Sequence, residues 1–556
     1  MNDLYNSKKL LWSLLAAFVI AWLAMLGLRT LVPPDEGRYA EMAREMFATG
    51  DWVTTRLNGI KYFEKPPLQT WMNAATFAVF GLGEWQARLW TGLCGIGGVL
   101  LSGYTAKRLF GARAGFYAAL VLGSSLFWVA AGQINSLDMS LSTMMAVSLC
   151  ALLLAQRDDA TPAENRNWML ACWAGMALAV LAKGLIGVVL PGAVLVIYSA
   201  LSRDAGIWKR LHLGKGLLLL LAIAAPWFVL VALRNPEQPH FFFVHEHWER
   251  FFLKTHHREG PWYYFLLILI PGMMPWLGLL PQALLNGAQR EPSRFQPKRL
   301  LLIWACFILF FFSISSSKLP GYILPIFPAL AMLVAVQLEH ASRLQRTVAA
   351  GLVLLAGLAG LATMPQLAHM SERNPGEGML LAAAQPWALA AGIVAAAAGA
   401  LALMHARQLR RDLGVLTLAI AGFAVTQLIL VGMEPYGRMR AGKDLAAKIL
   451  PELKPDTKVY SVELYEQSMT FYLGRTVTLV DFGDELTFGL QQQPELFIPT
   501  LDAFAARWDG HTAAGEKAVA LLSNHAYDKL KARKLPMRVL LQDTRRVVVT
   551  NLITNP

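Results

Sequence analysis

Residues 216–233 read GLLLLLAIAAPWFVLVAL, eighteen positions without a charged side chain, closed by Lys215 at one end and Arg234 at the other. As an α-helix such a run is about 27 Å long, close to the roughly 30 Å hydrocarbon core of a bilayer. Reading outward, comparable apolar runs recur near 9–29, 88–106, 114–131, 138–156, 167–183 and 185–201, then 262–283, 300–316, 321–338, 347–364, 383–404 and 413–432. Of the 556 residues, 55% are hydrophobic and only 16% charged, too few charges to solvate the surface of a water-soluble chain this long. The pattern predicts an all-α polytopic membrane protein with about thirteen transmembrane helices.

The net charge of +13 raises the question of nucleic acid, and its distribution answers it. Basic clusters fall in every second connection: Lys107/Arg108/Arg113, Arg157/Arg166, Arg203/Lys209/Arg210/Lys215, Arg290/Arg294/Lys298/Arg299, Arg343/Arg346 and Arg407/Arg410/Arg411. With Lys8 and Lys9 also inside, this alternation follows the positive-inside rule and accounts for most of the positive balance without nucleic acid. The run Leu10–Leu28 is too long for a signal-peptide core and has no small-residue cleavage site behind it, so it reads as a retained first span. Cys94, Cys150, Cys172 and Cys306 all lie in apolar runs and read as buried thiols. Pro67 to Gly81 is apolar but short and holds Gln69 and Asn73. Counting it as a span would invert every later loop, so it reads as a juxtamembrane or re-entrant helix inside the first external loop, Arg29–Arg88.

From Tyr436 the character changes. Strand-sized β-branched runs (458–462, 476–480, 518–522, 538–541 and 546–550) alternate with helical stretches, which predicts a small α/β domain. The expected division is a transmembrane domain over 1–435, including external loop 30–87, and a soluble domain over 436–556. The latter shows no Gly-rich phosphate loop and no catalytic constellation, so its expected role is a scaffold or an acceptor dock.

The remaining polar residues collect on the outer side. The first loop carries Asp35, Glu36, Arg38, Tyr62, Glu64 and Lys65, with prolines at 33, 34, 66 and 67 stiffening both ends. Asp35 equally suits the cap of a following helix. A second stretch, 234–262, holds five histidines together with Arg250; His245 with a loop carboxylate such as Glu64 has the chemistry to hold zinc, magnesium or manganese, although the spacing matches no metal motif. Lys183 and the hairpin containing Lys318 and Tyr322 add cations, which either reach for headgroups or neutralise a lipid phosphate. Asp138 begins an outer span end and is a further carboxylate or a cap. No Walker A loop, GxGxxG or D-x-D pair is present, so no nucleotide cofactor is expected.

The motifs Pro34-Asp35-Glu36-Gly37-Arg38-Tyr39, Glu64-Lys65-Pro66-Pro67-Leu68, Gly83 to Leu89, Ala182-Lys183-Gly184 and Ser317 to Tyr322, in that order, resemble the protein-mannosyltransferase-like branch of the C-type (GT-C) glycosyltransferases. The likeness is strongest to the bacterial 4-amino-4-deoxy-L-arabinose lipid A transferases. It implies an undecaprenyl-phosphate-linked sugar donor, lipid A or another membrane acceptor, an external active site in the inner membrane, and a monomer. It also implies Asp35 as the key carboxylate, with Lys65 and nearby cations on the donor phosphate, and it makes a metal on Glu64 and His245 worth proposing. The residues themselves add Glu36 and Asp138 to the expected catalytic carboxylates and Arg38, Tyr62, Lys183, Arg250, Lys318 and Tyr322 to the expected donor contacts. Alternatives left open are a protein O-mannosyltransferase-like enzyme with another acceptor and, from another class, a lipid-linked sugar transporter. The latter would place ionisable residues inside the spans, where this sequence has almost none.

Overall fold

The computed structural model describes residues 7–242, 260–366, 375–408 and 410–552. Contacts divide the chain into two compact units: residues 1–28, 64–69 and 88–433 in the first, and 29–63, 70–87 and 434–556 in the second.

The first unit is built of helices. Among the described residues, nine are long and apolar enough to cross a membrane, or ten if one bent pair counts as a span. The thirteen stretches expected as spans all form helix. The difference in number comes from four of them that are broken, short or polar at one end. Ala112–Leu122 and Leu126–Ala131 split the stretch 114–131, Ile186–Ser202 is 17 residues long, and Pro162–Lys183 begins with Glu164, Asn165 and Arg166. The stretch 262–283, expected as one continuous span, is instead bent by 108° between Tyr264–Gly272 and Leu277–Gly287. Pro271 and Pro275 both lack the amide that would carry a helix through this point. Leu137–Ala155 lies at the centre of the unit, 89% of it buried, whereas only 6% of Lys8–Met25 is. Both are apolar on all sides, as helices surrounded by protein or by lipid are. Lipid also explains Cys306: it is exposed, not buried as expected, because an apolar run avoids water without having to face a core, while Cys94, Cys150 and Cys172 are buried.

The second unit contains a six-stranded sheet of β3 (Lys458–Val462), β4 (Thr478–Val480), β5 (Phe497–Ile498), β6 (Ala518–Ser523), β7 (Arg538–Gln542) and β8 (Arg546–Thr550), ordered β5-β4-β3-β6-β8-β7. Strands β3, β4, β5 and β6 run parallel through helical crossovers, and β8 and β7 close the far edge as an antiparallel pair. The α/β domain is as expected; the two-residue strand β5 was not read from the sequence. Tyr460, Val462, Trp508, Leu522, Val547 and Val549 are in its core.

Residues 29–63 and 70–87, most of the long connection after the first helix, belong to this same unit. The helix Asp35–Thr49 presents Ala40, Ala43 and Met46 to Phe77 and Phe471. A short hairpin, β1 (Arg56–Leu57) and β2 (Ile60–Lys61), turns through Asn58 and Gly59, both at positive φ, as a two-residue Asn-Gly hairpin turn requires. Asn58 is tied to Val477 in both directions: its side-chain amide donates to the Val477 carbonyl at 2.8 Å, and its side-chain oxygen accepts from the Val477 amide at 2.8 Å. Thr30 donates to Glu434 through its amide and hydroxyl, at 2.7 and 2.6 Å. At 13 residues, Leu68–Phe80 is about 20 Å long, too short for a span.

Candidate active site

In the first unit, a helix start and a helix end bring opposite charges together. Asp138 lies in the first turn of Leu137–Ala155, where the helix dipole favours an anion, and Lys183 is the last residue of Pro162–Lys183, where it favours a cation. The two form an ion pair. The Lys183 ammonium also sits 4.6 Å from the centre of the Tyr322 ring, within cation–π range. Tyr322 follows Gly321, and a Cβ at Gly321 would overlap the Asp138 carboxylate. Only glycine lets the turn pass this closely. The expected result of Gly321→Ala is therefore displacement of Asp138 and a stability loss of about 1–3 kcal/mol, the usual cost of overpacking. It would appear as a lower thermal midpoint together with reduced transfer, and an unchanged midpoint would sink the claim.

Lys318 is buried, and burial pushes its ammonium below the ordinary lysine pKa. It donates to the carbonyls of Ser313 and Ser315, at 2.9 and 2.6 Å, which holds the 315–318 turn closed. Lys65 donates to the Glu64 carbonyl at 2.8 Å and lies 3.8 Å from its carboxylate. The short segment 64–69 is anchored by Gln69, whose side-chain amide donates to Asn135 at 2.8 Å and to Thr91 at 3.2 Å, and whose oxygen accepts from Ser140. Ser140 is two residues from Asp138, so the segment bearing Lys65 is fastened to the helix that bears Asp138. Arg88, of the Gly83–Leu89 motif, is fully buried and donates to the Leu26 carbonyl at 2.9 Å, satisfying a backbone oxygen left over at the end of the first helix.

In the second unit, Arg38 is the hub. One side of its guanidinium pairs with Asp35 at 2.9 Å and the other with Glu485 at 2.6 Å. Burial opposes the Arg38 charge, but the facing Tyr62 and Glu485 outweigh it and raise its pKa well above the usual value. Glu485 also accepts from Gln467 and, at 3.5 Å, from the Tyr62 hydroxyl. The C-terminal domain thus supplies two polar groups, Glu485 and Gln467, to the loop cluster. Asp35 is not a cap: the helix begins at Asp35 itself, after Pro34, and its half-exposed carboxylate reaches one turn on to Arg38. Glu36, by contrast, is buried and accepts from the Val32 amide at 3.0 Å, so part of its capacity serves the fold. Gly37 closes on Ser468, whose hydroxyl donates to the Leu31 carbonyl at 2.8 Å.

Glu485, Gln467 and Gln69 were missed from the sequence. Gln69 stood out as a polar residue in an apolar segment, the one signal that could have marked it. Among the described residues no three His, Cys, Asp or Glu gather as a metal-binding group. His245 and Arg250 lie outside the described residues.

These clusters sit in a chain with well-defined relatives. The sequence profile of the aminoarabinose transferase C-terminal domain matches residues 445–551, and that of dolichyl-phosphate-mannose-protein mannosyltransferase matches residues 64–230. The undecaprenyl phosphate-α-4-amino-4-deoxy-L-arabinose arabinosyl transferase of Pseudomonas aeruginosa (strain UCBPP-PA14) is 33% identical, covering 95% of this chain and 96% of that protein. Its namesake from Edwardsiella ictaluri is 30% identical, over 86% and 87%. The crystal structure of ArnT from Cupriavidus metallidurans bound to undecaprenyl phosphate is similar at a TM-score of 0.92, with 40% identity over 99% of both chains. The apo structure of the same protein gives 0.90, at 40% identity over 98% and 99%. With matches of this quality running almost end to end through both the helical unit and the α/β domain, the chain belongs to the undecaprenyl phosphate-α-4-amino-4-deoxy-L-arabinose arabinosyl transferases, a family of multi-pass membrane glycosyltransferases.

Proposed function

We propose that this protein transfers 4-amino-4-deoxy-L-arabinose from undecaprenyl phosphate to the phosphates of lipid A, at the periplasmic face of the bacterial inner membrane, acting as a monomer. The observation that carries the reading is the end-to-end match to arabinosyl transferases. The lysines of the helical unit and the Asp35–Arg38 cluster supply chemistry that fits it.

In the reaction, the bond between the sugar's anomeric carbon and the donor phosphate oxygen breaks, and a bond from that carbon to an acceptor phosphate oxygen forms. The leaving group is undecaprenyl phosphate, which departs readily once its growing negative charge is neutralised. A strong general acid is then unnecessary; fixed cations do the work electrostatically. Lys65 is the cation we assign to the leaving phosphate, with Lys183, already held by Asp138, adding positive potential. Lys318, with two of its donors on backbone carbonyls, holds its turn in shape. The acceptor oxygen is already anionic at neutral pH, so Asp35 is not needed as a base. The role we assign to it instead is to stabilise the positive charge that develops at the sugar, or the ammonium the sugar carries.

A divalent ion on Glu64 and His245 remains part of the proposal, since carboxylate and imidazole suit zinc or manganese and the ion would add a Lewis acid to the leaving phosphate. No step above depends on it. The deciding experiment incubates purified protein with undecaprenyl-phosphate-linked aminoarabinose and lipid A, with and without chelator, and reads the product mass. A pentosamine increment on lipid A supports the transfer. An increment on a protein acceptor alone, or none with an active preparation, rejects it; a chelator-insensitive rate rejects the metal.

A further inference from the structure

A second basic site lies in the helical unit. A narrow hollow, with room for about one water molecule and open on one side, is walled by apolar side chains, Trp276, Leu338 and Leu418 among them, and three arginines, Arg346, Arg410 and Arg411, join its lining. Among the described residues none of the three is in an ion pair. Arg411 donates to the Glu339 carbonyl and Arg346 to the Ser342 carbonyl at 3.4 Å. The neighbouring carboxylate, Asp412, is already engaged by Arg113 at 2.9 Å and by the Tyr117 hydroxyl. Arg346 lies near the start of Arg343–Ala362, and Arg410 and Arg411 at the start of Arg411–Gly432. A helix start is the end where the dipole disfavours cations. Like charges and adverse dipoles thus converge on one hollow, a costly arrangement until an anion enters it.

Arginines at span ends often reach singly into the headgroup layer. Here they converge instead, beside apolar walls. Guanidinium forks match phosphate oxygens, and the apolar wall matches a hydrocarbon chain. The end of the bundle is that of two of the basic clusters which the positive-inside rule assigns to the cytoplasmic side, where the lipid surface is negative. We propose that the mouth of this hollow, where the three arginines meet, binds the phosphate headgroup of an anionic phospholipid, with the start of an acyl chain along the apolar side chains beside it. The site is independent of the transfer chemistry and takes no part in it.

The test titrates lipids into delipidated full-length protein in detergent and counts bound lipid by native mass spectrometry. Phosphatidylglycerol should bind roughly tenfold tighter than phosphatidylcholine, because both carry the phosphate but the choline ammonium would bring a like charge up to the three guanidiniums. The combined variant Arg346→Gln, Arg410→Gln, Arg411→Gln should lose that preference, and Lys209→Gln, an exposed basic residue in another connection, should keep it. If the triple variant does not fold, Arg410→Gln alone, at an exposed position, should weaken phosphatidylglycerol by about threefold. Equal binding of phosphatidylcholine would mean ordinary headgroup contact and overturn the proposal. So would an unaltered preference in the folded variants. Inorganic phosphate that binds as tightly as the lipid would also overturn it, making the ligand a free anion.

Discussion

Replacing Asp35 with asparagine is expected to lower transfer by about 10²–10³-fold, the range for removing one preorganised electrostatic group from a transition state, and to leave the thermal midpoint nearly unchanged. The structure makes this a clean experiment. The Asp35 side chain is 53% exposed, and its partner Arg38 keeps Glu485 at 2.6 Å when the charge is removed. With Asp35 half exposed and the buried Arg38 still paired to Glu485, loss of this one pair should cost about 1 kcal/mol of folding or less. Asparagine keeps the shape and removes only the charge that would face positive charge growing at the sugar. Because Asp35 acts in the transition state, kcat should carry most of the loss. Activity within threefold of the unaltered enzyme would sink the assignment, and a collapse in melting temperature would make Asp35 a structural residue.

Lys65→Ala is expected to reduce kcat/KM for the lipid-phosphate donor by about 10–150-fold, the equivalent of a charge-assisted hydrogen bond of roughly 1.5–3 kcal/mol. Inhibition by the product, undecaprenyl phosphate, should weaken by a similar factor, since the lysine binds the phosphate in both. The ammonium is presented on a segment with little freedom: its own bond runs to the Glu64 carbonyl, and Gln69 fastens the segment to Asn135 and Thr91. The side chain can be removed without touching that anchor, so yield and melting should hold. Should the product bind as before while yield falls, Lys65 serves the fold. Lys65→Arg should recover part of the lost affinity, because the charge returns with a different reach.

How far the site could be read in advance varied from residue to residue. Asp35, Arg38, Lys65, Lys183 and Tyr322 were all legible, because a charge or an aromatic beside an apolar run breaks a local pattern. Their pairings were not. Asp138 with Lys183, and Arg38 with Glu485, are contacts between residues far apart in the chain. The loop residue Asn58 holds Val477, 419 positions away. The Asn58-Gly59 hairpin, by contrast, was written in the sequence and passed over. The same distinction explains the external loop. An apolar stripe at Ala40, Ala43 and Met46 says that the helix needs a partner, but not that Phe471 is in it.

The sequence by itself determined that this chain enters a membrane, which stretches form its apolar helices, which connections carry the basic charge, and that an α/β domain follows. These are sums of transfer free energies and charge biases that each residue brings wherever it is placed. The tertiary structure decided which carboxylate meets which cation, that residues of the first loop pack with the C-terminal domain, that the 262–283 stretch bends, and that three arginines line one apolar cavity. Those outcomes depend on distances of a few ångströms between distant segments, and electrostatic and packing energies exist only once those distances are set.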